Sequence, residues 1–342
     1  MEKCSIYIVS KWDNKFWSQE PVVTEGITWE TARSGEPAKL TFTVIKDNTV
    51  DSDGIPVDEG EGATNTEYNG IKFNEGDRVS FYYGETPVFF GYVFEKKRNK
   101  DHHIEVTCYD PTFYLKAKEH YVMTNVRLDQ IVSRVADDIG LPFGYLENTE
   151  YYIPKFAKSE STLFDIIGDA ITETYMATGD LYCLYWDFEN LVLKHSGDMV
   201  IPIQINSSTA EDFDYSTSIN GNTYNSVVVK VEDSKSQVFN NFDSQDKWGV
   251  LQIVVDKQAG KTPKETADIV LSMYNRVSRT LNVNGALGDV RVRGGSSVYV
   301  DLNLGDHRCN QILLVSRATH TFDNGHHSME LTLIDGRGFY GK

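Results

Sequence analysis

Apolar and polar residues alternate with a period of two through the first part of the chain. Leu40, Phe42 and Val44 alternate with Lys39, Thr41 and Thr43, which marks a strand with one buried face. Val79, Phe81 and Tyr83, and the runs 88–94 and 104–108, continue that style. From about residue 119 the period changes. Leu128, Ile131, Val132, Val135 and Ile139 fall on one helical face, and Gly140 and Pro142 stop that helix. A second helix is expected from Thr162 to about Gly179, with Leu163, Ile166, Ile167 and Ala170 inward. Strands over 181–186 and 191–195 follow, around a turn at Phe188-Glu189-Asn190. Strands return over 226–231 and 250–255. Thr262-Pro263-Lys264-Glu265 then reads as a capping box with Pro at the first helical position. An apolar face of Ala267, Val270, Leu271, Tyr274, Val277 and Leu281 predicts a helix over 262–281.

One alternating stretch occurs twice. Ile104-Glu105-Val106-Thr107-Cys108-Tyr109-Asp110 matches Met329-Glu330-Leu331-Thr332-Leu333-Ile334-Asp335 in its Glu, Thr and Asp. The lead-in recurs as well: Gly76-Asp77-Arg78-Val79-Ser80-Phe81 precedes the first copy and Gly295-Ser296-Ser297-Val298-Tyr299-Val300 the second. His102-His103 and His326-His327 also stand just before the two copies. The signature positions are therefore Gly76, Val79, Phe81, Glu105, Thr107 and Asp110, repeated as Gly295, Val298, Val300, Glu330, Thr332 and Asp335, about 220 positions further on. Two similar β-modules per chain let three chains present six modules, which suits a part that joins a six-fold ring to a three-fold one.

The expected fold is mainly β with an α+β insertion. A first tube-like β-barrel covers 1–118, a small α+β domain 119–205, and a second tube-like barrel with the helix over 262–281 covers 206–342. A length of 342 residues suits two or three cores.

Charge and cysteine usage narrow the function classes. The net charge of −17, from 33 basic and 50 acidic residues, disfavours specific nucleic-acid binding, which draws on Lys and Arg at phosphates. The same charge suits a passage that DNA traverses without sticking. Cys4, Cys108, Cys183 and Cys309 make no C-x-x-C pair; free thiols in a reducing cytoplasm are expected. No apolar run approaches the ~20 residues of a membrane helix, and the short apolar run at Cys4–Val9 is too brief for a signal-peptide core.

Chemical motifs are sparse. G-x-S-x-G, H-E-x-x-H, P-loop and G-x-G-x-x-G patterns are lacking, so no catalytic, cofactor-binding or metal-binding residue is assigned. Asp51-Ser52-Asp53 opens like a calcium loop, but Pro56 and Gly62 break the pattern; residues 51–69 read as an exposed acidic loop. His307, His320, His326 and His327 lack converging partners at ligand spacing and read as structural or solvated. Trp12, Trp17 and Trp29 fit core or interface positions better than a sugar-stacking platform. Arg78, Ser80 and Tyr82, with their counterparts Ser297, Tyr299 and Asp301, are expected to face a lumen or the outer surface.

The order of these features resembles the central baseplate hub of contractile phage tails and phage-tail-like bacteriocins (tailocins), especially in prophages of Gram-positive bacteria. It is also similar, more distantly, to late control D proteins and the hub part of type VI secretion spikes. The residues that carry the resemblance are Gly76-Asp77-Arg78-Val79, Phe90-Gly91-Tyr92-Val93, Ile104 to Asp110 running into Tyr114-Leu115, Thr162 to Ile167, the helix beginning at Thr262, Gly295 to Val298, and Thr319-His320 before His327 to Leu331. The resemblance implies a non-enzymatic homotrimer that adapts the hexameric tail tube to the trimeric spike, with baseplate wedge proteins outside. It implies a particle assembled in the bacterial host cytoplasm and not inserted in a membrane. The chain ends soon after the second expected barrel, at Phe339-Tyr340, so no fused hydrolase is expected. Rival readings are a tail-tip peptidoglycan hydrolase, which needs an acid pair or zinc in a cleft, and a carbohydrate-binding module.

Overall fold

A computed structural model of the chain describes residues 2–9, 16–17, 26–44, 73–100, 103–232, 235–258, 260–305, 308–323 and 325–334. The acidic loop over 51–69, Trp12, His102, His307 and Asp335 lie outside those residues. The first part holds β1 (Cys4–Val9), β2 (Phe16–Trp17), β3 (Ile27–Ala32), β4 (Lys39–Val44), β5 (Arg78–Tyr83), β6 (Thr86–Arg98) and β7 (Ile104–Tyr109). A 3-10 turn at Pro111–Lys116 leads to the middle part. That part is β8 (Lys118–Arg127), α1 (Leu128–Ile139), β9 (Phe143–Leu146), β10 (Tyr152–Thr162), α2 (Leu163–Thr178), β11 (Tyr182–Asp187) and β12 (Asn190–His195). The last part holds β13 (Val200–Asn206), β14 (Asp212–Ser218), β15 (Ser226–Glu232), β16 (Lys235–Asn240), α3 (Phe242–Trp248), β17 (Gln252–Asp256) and α4 (Pro263–Tyr274). It closes with β18 (Ser278–Leu287), β19 (Ser297–Asn303), β20 (Arg308–Asp323) and β21 (His326–Ile334). The fold is mainly β, as the alternation predicts.

The first and last parts share one continuous sheet, ordered β14-β18-β21-β20-β3-β4-β7-β6-β5-β1-β2, with β13 joined to β19 and β19 to β20. Within it, each half rolls around its own apolar core. The first core gathers Ile6, Ile8, Leu40, Phe42, Val79, Phe81 and Val106; the second gathers Val283, Val298, Val300, Val315, Met329 and Leu331. Each fully buried side chain of this kind contributes about 1.5–3 kcal/mol, so the packing of each half rests on strict alternation. Setting aside β2 and the separate sheet β15–β17, each half has six strands among the described residues, and both halves stack them in one spatial order. The first runs β1-β5-β6-β7-β4-β3 and the second β13-β19-β20-β21-β18-β14. In chain rank both read first, fourth, fifth, sixth, third, second. They differ at one edge: β1 is antiparallel to β5, while β13 is parallel to β19.

The middle part packs α1 and α2 against the β8–β10 ribbon and the sheet β11-β12-β9, around Leu128, Ile131, Ile153, Phe156, Ile166 and Leu191. The Thr162 hydroxyl caps α2 by accepting from the Asp165 N–H, and Gly179 ends it at φ 84°, a left-handed conformation that glycine adopts without steric cost. Because β13 begins at Val200 and pairs with β19, the last β part takes up the chain before residue 206.

The predicted helix over 262–281 is shorter. The expected capping box is present, with Thr262 and Glu265 reciprocally bonded, but α4 ends at Tyr274, and Asn275 turns away from helical ψ (63°). Leu281, which extended the helical pattern, instead points inward from β18 between β14 and β21. Long-range pairing on both edges of β18 outweighs a local period that a helix could also satisfy. Residues Val227, Val229, Ala267 and Val270 form a separate small core between α4 and the sheet β16-β15-β17, an insertion between β14 and β18 that the first half lacks.

Candidate assembly site: a repeated turn, a bulge and the seam between halves

Each half begins its three-stranded meander with the same hydrogen-bonded turn. Gly76 has φ 89° and Gly295 φ 96°, which suits glycine in both places. The Gly76 N–H donates to the Val93 carbonyl at 2.8 Å, and the Gly295 N–H donates to Val315 at 2.8 Å. Val93 donates back to Asp77 at 2.9 Å, and Val315 to Ser296 at 2.8 Å. The Asp77 N–H reaches the Asn74 carbonyl at 3.2 Å, and that of Ser296 reaches Arg293 at 3.0 Å. The side chain closes the loop in both: Asp77 Oδ2 accepts from Asn74 N at 2.8 Å, and Ser296 Oγ from Arg293 N at 3.0 Å. Asp77 and Ser296 are both buried, and each side chain satisfies an amide of its own turn.

A β-bulge follows in register. Against β7, β6 shifts between Val93 and Glu95; against β21, β20 shifts between Val315 and Arg317. The extra residues are Phe94 and Ser316. Beyond the bulge, Thr107 lies opposite Glu95 and Thr332 opposite Arg317. A bulge sharpens the twist of a strand, and here it lets one long strand serve two neighbours. Val79, Phe81, Glu105 and Thr107 match their counterparts in exposure. Val79, Phe81, Val298 and Val300 are 0 % exposed. Glu105 and Glu330 are exposed, and Thr107 and Thr332 half-buried on the outer face.

The seam between the halves is made by β20. From Arg317 to Phe322 it pairs with β3, while Ala318 to Asp323 pair with β21 on the other edge. Phe322, from the last part, sits in the first core, edge-on to Phe81 at 5.0 Å and stacked on His327 at 4.2 Å. His320 is fully buried and lies 4.8 Å from Trp29. Its Nε2 is 2.8 Å from the Val292 carbonyl, which can only accept, so Nε2 carries the proton; Nδ1 then accepts from His327 Nε2 at 2.9 Å. Burial, then the neighbouring His327, pushes His320 down to about 3, and burial pushes His327 down to about 4. Both are neutral at pH 7 and serve the seam. The buried Trp29 is part of that core, 3 % exposed, and so does not form a sugar platform.

Where the first half, the second turn and the middle part meet, polar groups interlock. The Asp110 carboxyl accepts from Ala38 N at 3.2 Å, Thr112 N at 3.0 Å and the Thr112 hydroxyl. Burial raises it to about 6, although these donors and the nearby Arg293 charge pull it down. The Arg293 guanidinium stacks 4.1 Å over Tyr185 and donates to the Trp186 carbonyl at 2.9 Å. The Gly294 N–H donates to Thr31 Oγ1 at 2.9 Å. A Cβ at Gly295 would meet Cys183 Sγ at 2.2 Å, so the second turn is pressed against β11. The cysteines are free, with Cys108, Cys183 and Cys309 buried; desolvation lifts Cys183 to about 11, which leaves it an unreactive thiol.

The polar-face expectation holds for Arg78 and Tyr299, which are exposed, and in part for Ser80, Tyr82 and Asp301, which are half-buried. Ser297 departs from it. It is fully buried, because it is flanked by Val200 of β13 on one side and Leu314 of β20 on the other. Among the described residues no three His, Cys, Asp or Glu side chains come together as a metal-ligand group, and no helix is long and apolar enough to cross a membrane. The bulge and the seam were not read from the sequence. Phe94 and Ser316 share no residue type, and the β20–β3 contact joins positions almost the whole chain apart. The signal that could have exposed the bulge is the valine before it in both copies.

A family model described as YQBQ-like matches residues 27–334. The phage-like element PBSX protein XkdQ of Bacillus subtilis (strain 168) is 30 % identical over 273 residues, covering 77 % of this chain and 82 % of that protein. Among solved structures, the 43 kDa tail protein of prophage MuSo2 from Shewanella oneidensis has a TM-score of 0.66 at 11 % identity, covering 98 % of this chain and 99 % of that one. The E. coli c3393 protein has a TM-score of 0.53 at 12 % identity over 95 % of this chain and 76 % of that one. It is described as a component of the type VI secretion system with structural similarity to the T4 bacteriophage tail proteins gp27 and gp5. The fold is thus shared with prophage tail and type VI secretion proteins.

Proposed function

The chain belongs to the YQBQ-like family, and from that premise we propose that it is the structural hub of a tail baseplate, in a contractile phage tail or a tailocin. Three copies form a ring of six similar β-units. One face of the ring meets a hexameric tail tube, the other a trimeric spike, and baseplate wedge proteins surround it. The hub works as a rigid symmetry adaptor and has no catalytic role. Its two tube-like units are centred on residues 1–118 and 206–342, with β13 added to the second and the α+β part over 119–205 between them.

The observation that carries this reading is the doubled unit: one strand order, one bulge position and one four-bond turn, built twice from different side chains in a single chain. A chain that repeats a unit can contribute two of six places in a ring without being six identical subunits. The name of the 30 % identical relative, a phage-like element protein, and the fold shared with prophage tail proteins point to the same particle. The net charge of −17 suits a lumen through which DNA passes without adhering. Assembly in the bacterial host cytoplasm fits four free cysteines.

The test is an electron-microscopy average of assembled tail tips carrying a tagged copy of the chain. The expected result is three tags at the junction of tube and spike. Tags along the sheath, on fibres, or in six-fold number would overturn the reading.

A further inference from the structure

Helix α2 carries Phe164, Ile167, Gly168 and Ile171 at the spacing of a single helical face. Three of these are large apolar residues packed in or against the middle core. The fourth is a glycine in mid-helix, a position where glycine weakens the helix. A Cβ at Gly168 would meet nothing within 4 Å, so the apolar stripe has a gap there that no neighbour fills. The gap opens into a recess with about 530 Å³ of empty space, part of it open to solvent. That lies within the size range of small-molecule sites, about 300–1,000 Å³. The recess sits where α2, β11 and the turn between β3 and β4 meet, and Leu184 and Ala38 continue its apolar wall.

The rest of the lining is polar. Asp110 belongs to it, and both of its carboxyl oxygens already accept: Oδ1 from the Thr112 N–H and hydroxyl, Oδ2 from the Ala38 N–H. Arg293 lines the recess too, held over Tyr185 and donating through Nη2 to the Trp186 carbonyl. Its Nε is buried and has no hydrogen-bond partner. A buried guanidinium donor left without an acceptor is costly, and a ligand acceptor in the recess would satisfy it. We infer that the recess binds a small aliphatic carboxylate, with its hydrocarbon end in the gap over Gly168 and its carboxylate on Arg293. Charge-assisted bonds from a guanidinium to a carboxylate are among the strongest hydrogen bonds, and the hydrocarbon end leaves water for the wall of Ile167, Ile171 and Leu184. Arg33 also lines the recess, so two guanidiniums stand against the one buried acid, Asp110. The site lies within a single chain and does not depend on the hub reading.

The experiment is calorimetric titration of the full chain with isovalerate at constant ionic strength. Saturable binding is expected, roughly tenfold tighter than that of isovaleramide, which has the same shape and no charge. Gly168→Leu fills the gap with a better helix former. It should weaken isovalerate binding by roughly tenfold or more while the melting temperature stays at or above that of the unaltered chain. Arg293→Lys keeps the charge but loses the planar fork, and it should weaken binding to a similar degree. N-acetyl-leucine presents the same branched end on a peptide. Tighter binding of N-acetyl-leucine than of isovalerate assigns the site to the C-terminus of a polypeptide, and weaker binding assigns it to a free acid. Absence of saturable binding, equal binding of isovaleramide, or binding unchanged by Gly168→Leu overturns the proposal.

Discussion

Gly76 and Gly295 hold the same place in two copies of one turn, each with positive φ and each donating to a valine carbonyl 2.8 Å away. Their surroundings differ. A Cβ at Gly76 would meet nothing within 4 Å, while one at Gly295 would run into Cys183. Gly76→Ala should therefore cost about 1 kcal/mol for the left-handed backbone. Gly295→Ala should cost about 1–3 kcal/mol more for overpacking. Adding Cys183→Ala to Gly295→Ala should recover part of that excess and do nothing for Gly76→Ala. Denaturant unfolding of the four variants reads this directly.

Phe322 belongs in sequence to the last part and in packing to the first core. Phe322→Ala should destabilise by about 3–5 kcal/mol, and the loss should appear first around Phe81 and Tyr83, its ring partners there. Hydrogen exchange would locate it. Increased exchange confined to β19 and β21 would show that the seam does not couple the two cores.

The histidine pair sets a pH dependence. His320 and His327 have folded-state values below the ordinary 6.5, so the unfolded chain takes up protons first as pH drops. Stability is lost below about pH 6.5 and the loss continues towards the folded values of about 4 and 3. Asp110 works the other way. Its folded value of about 6 lies above the ordinary 3.8, so the fold gains from protonation as pH falls from 6 to 3.8. The melting temperature should thus fall by a few degrees between pH 7 and 5. Asp110→Asn, which removes the opposing group, should make that fall steeper.

The parts of the fold legible in the sequence are those set by local chemistry. The alternation at Leu40, Phe42 and Val44 gives β4 its inward face, and Thr162, Gly140 and Gly179 mark helix ends where their caps are found. The end of α4 was not legible, because Leu281 satisfies a helical period and a strand period alike, and only pairing with Tyr215 and Leu333 selects the strand. Of the assembly site, the turn glycines and the Glu-Thr signature could be read, since both depend on residue type. The order of strands, the seam at Phe322 and the burial of Ser297 could not, since each depends on which distant strand arrives alongside.

The most direct measurement is an end-on averaged image of the chain's own purified oligomer. Three copies carrying six similar units predict a ring whose rotational power is strongest at six-fold in coarse detail, with a three-fold component where α4 and the sheet β15–β17 decorate every second unit. A two-fold or four-fold particle, or a six-fold ring in which every unit bears that decoration, would contradict the account.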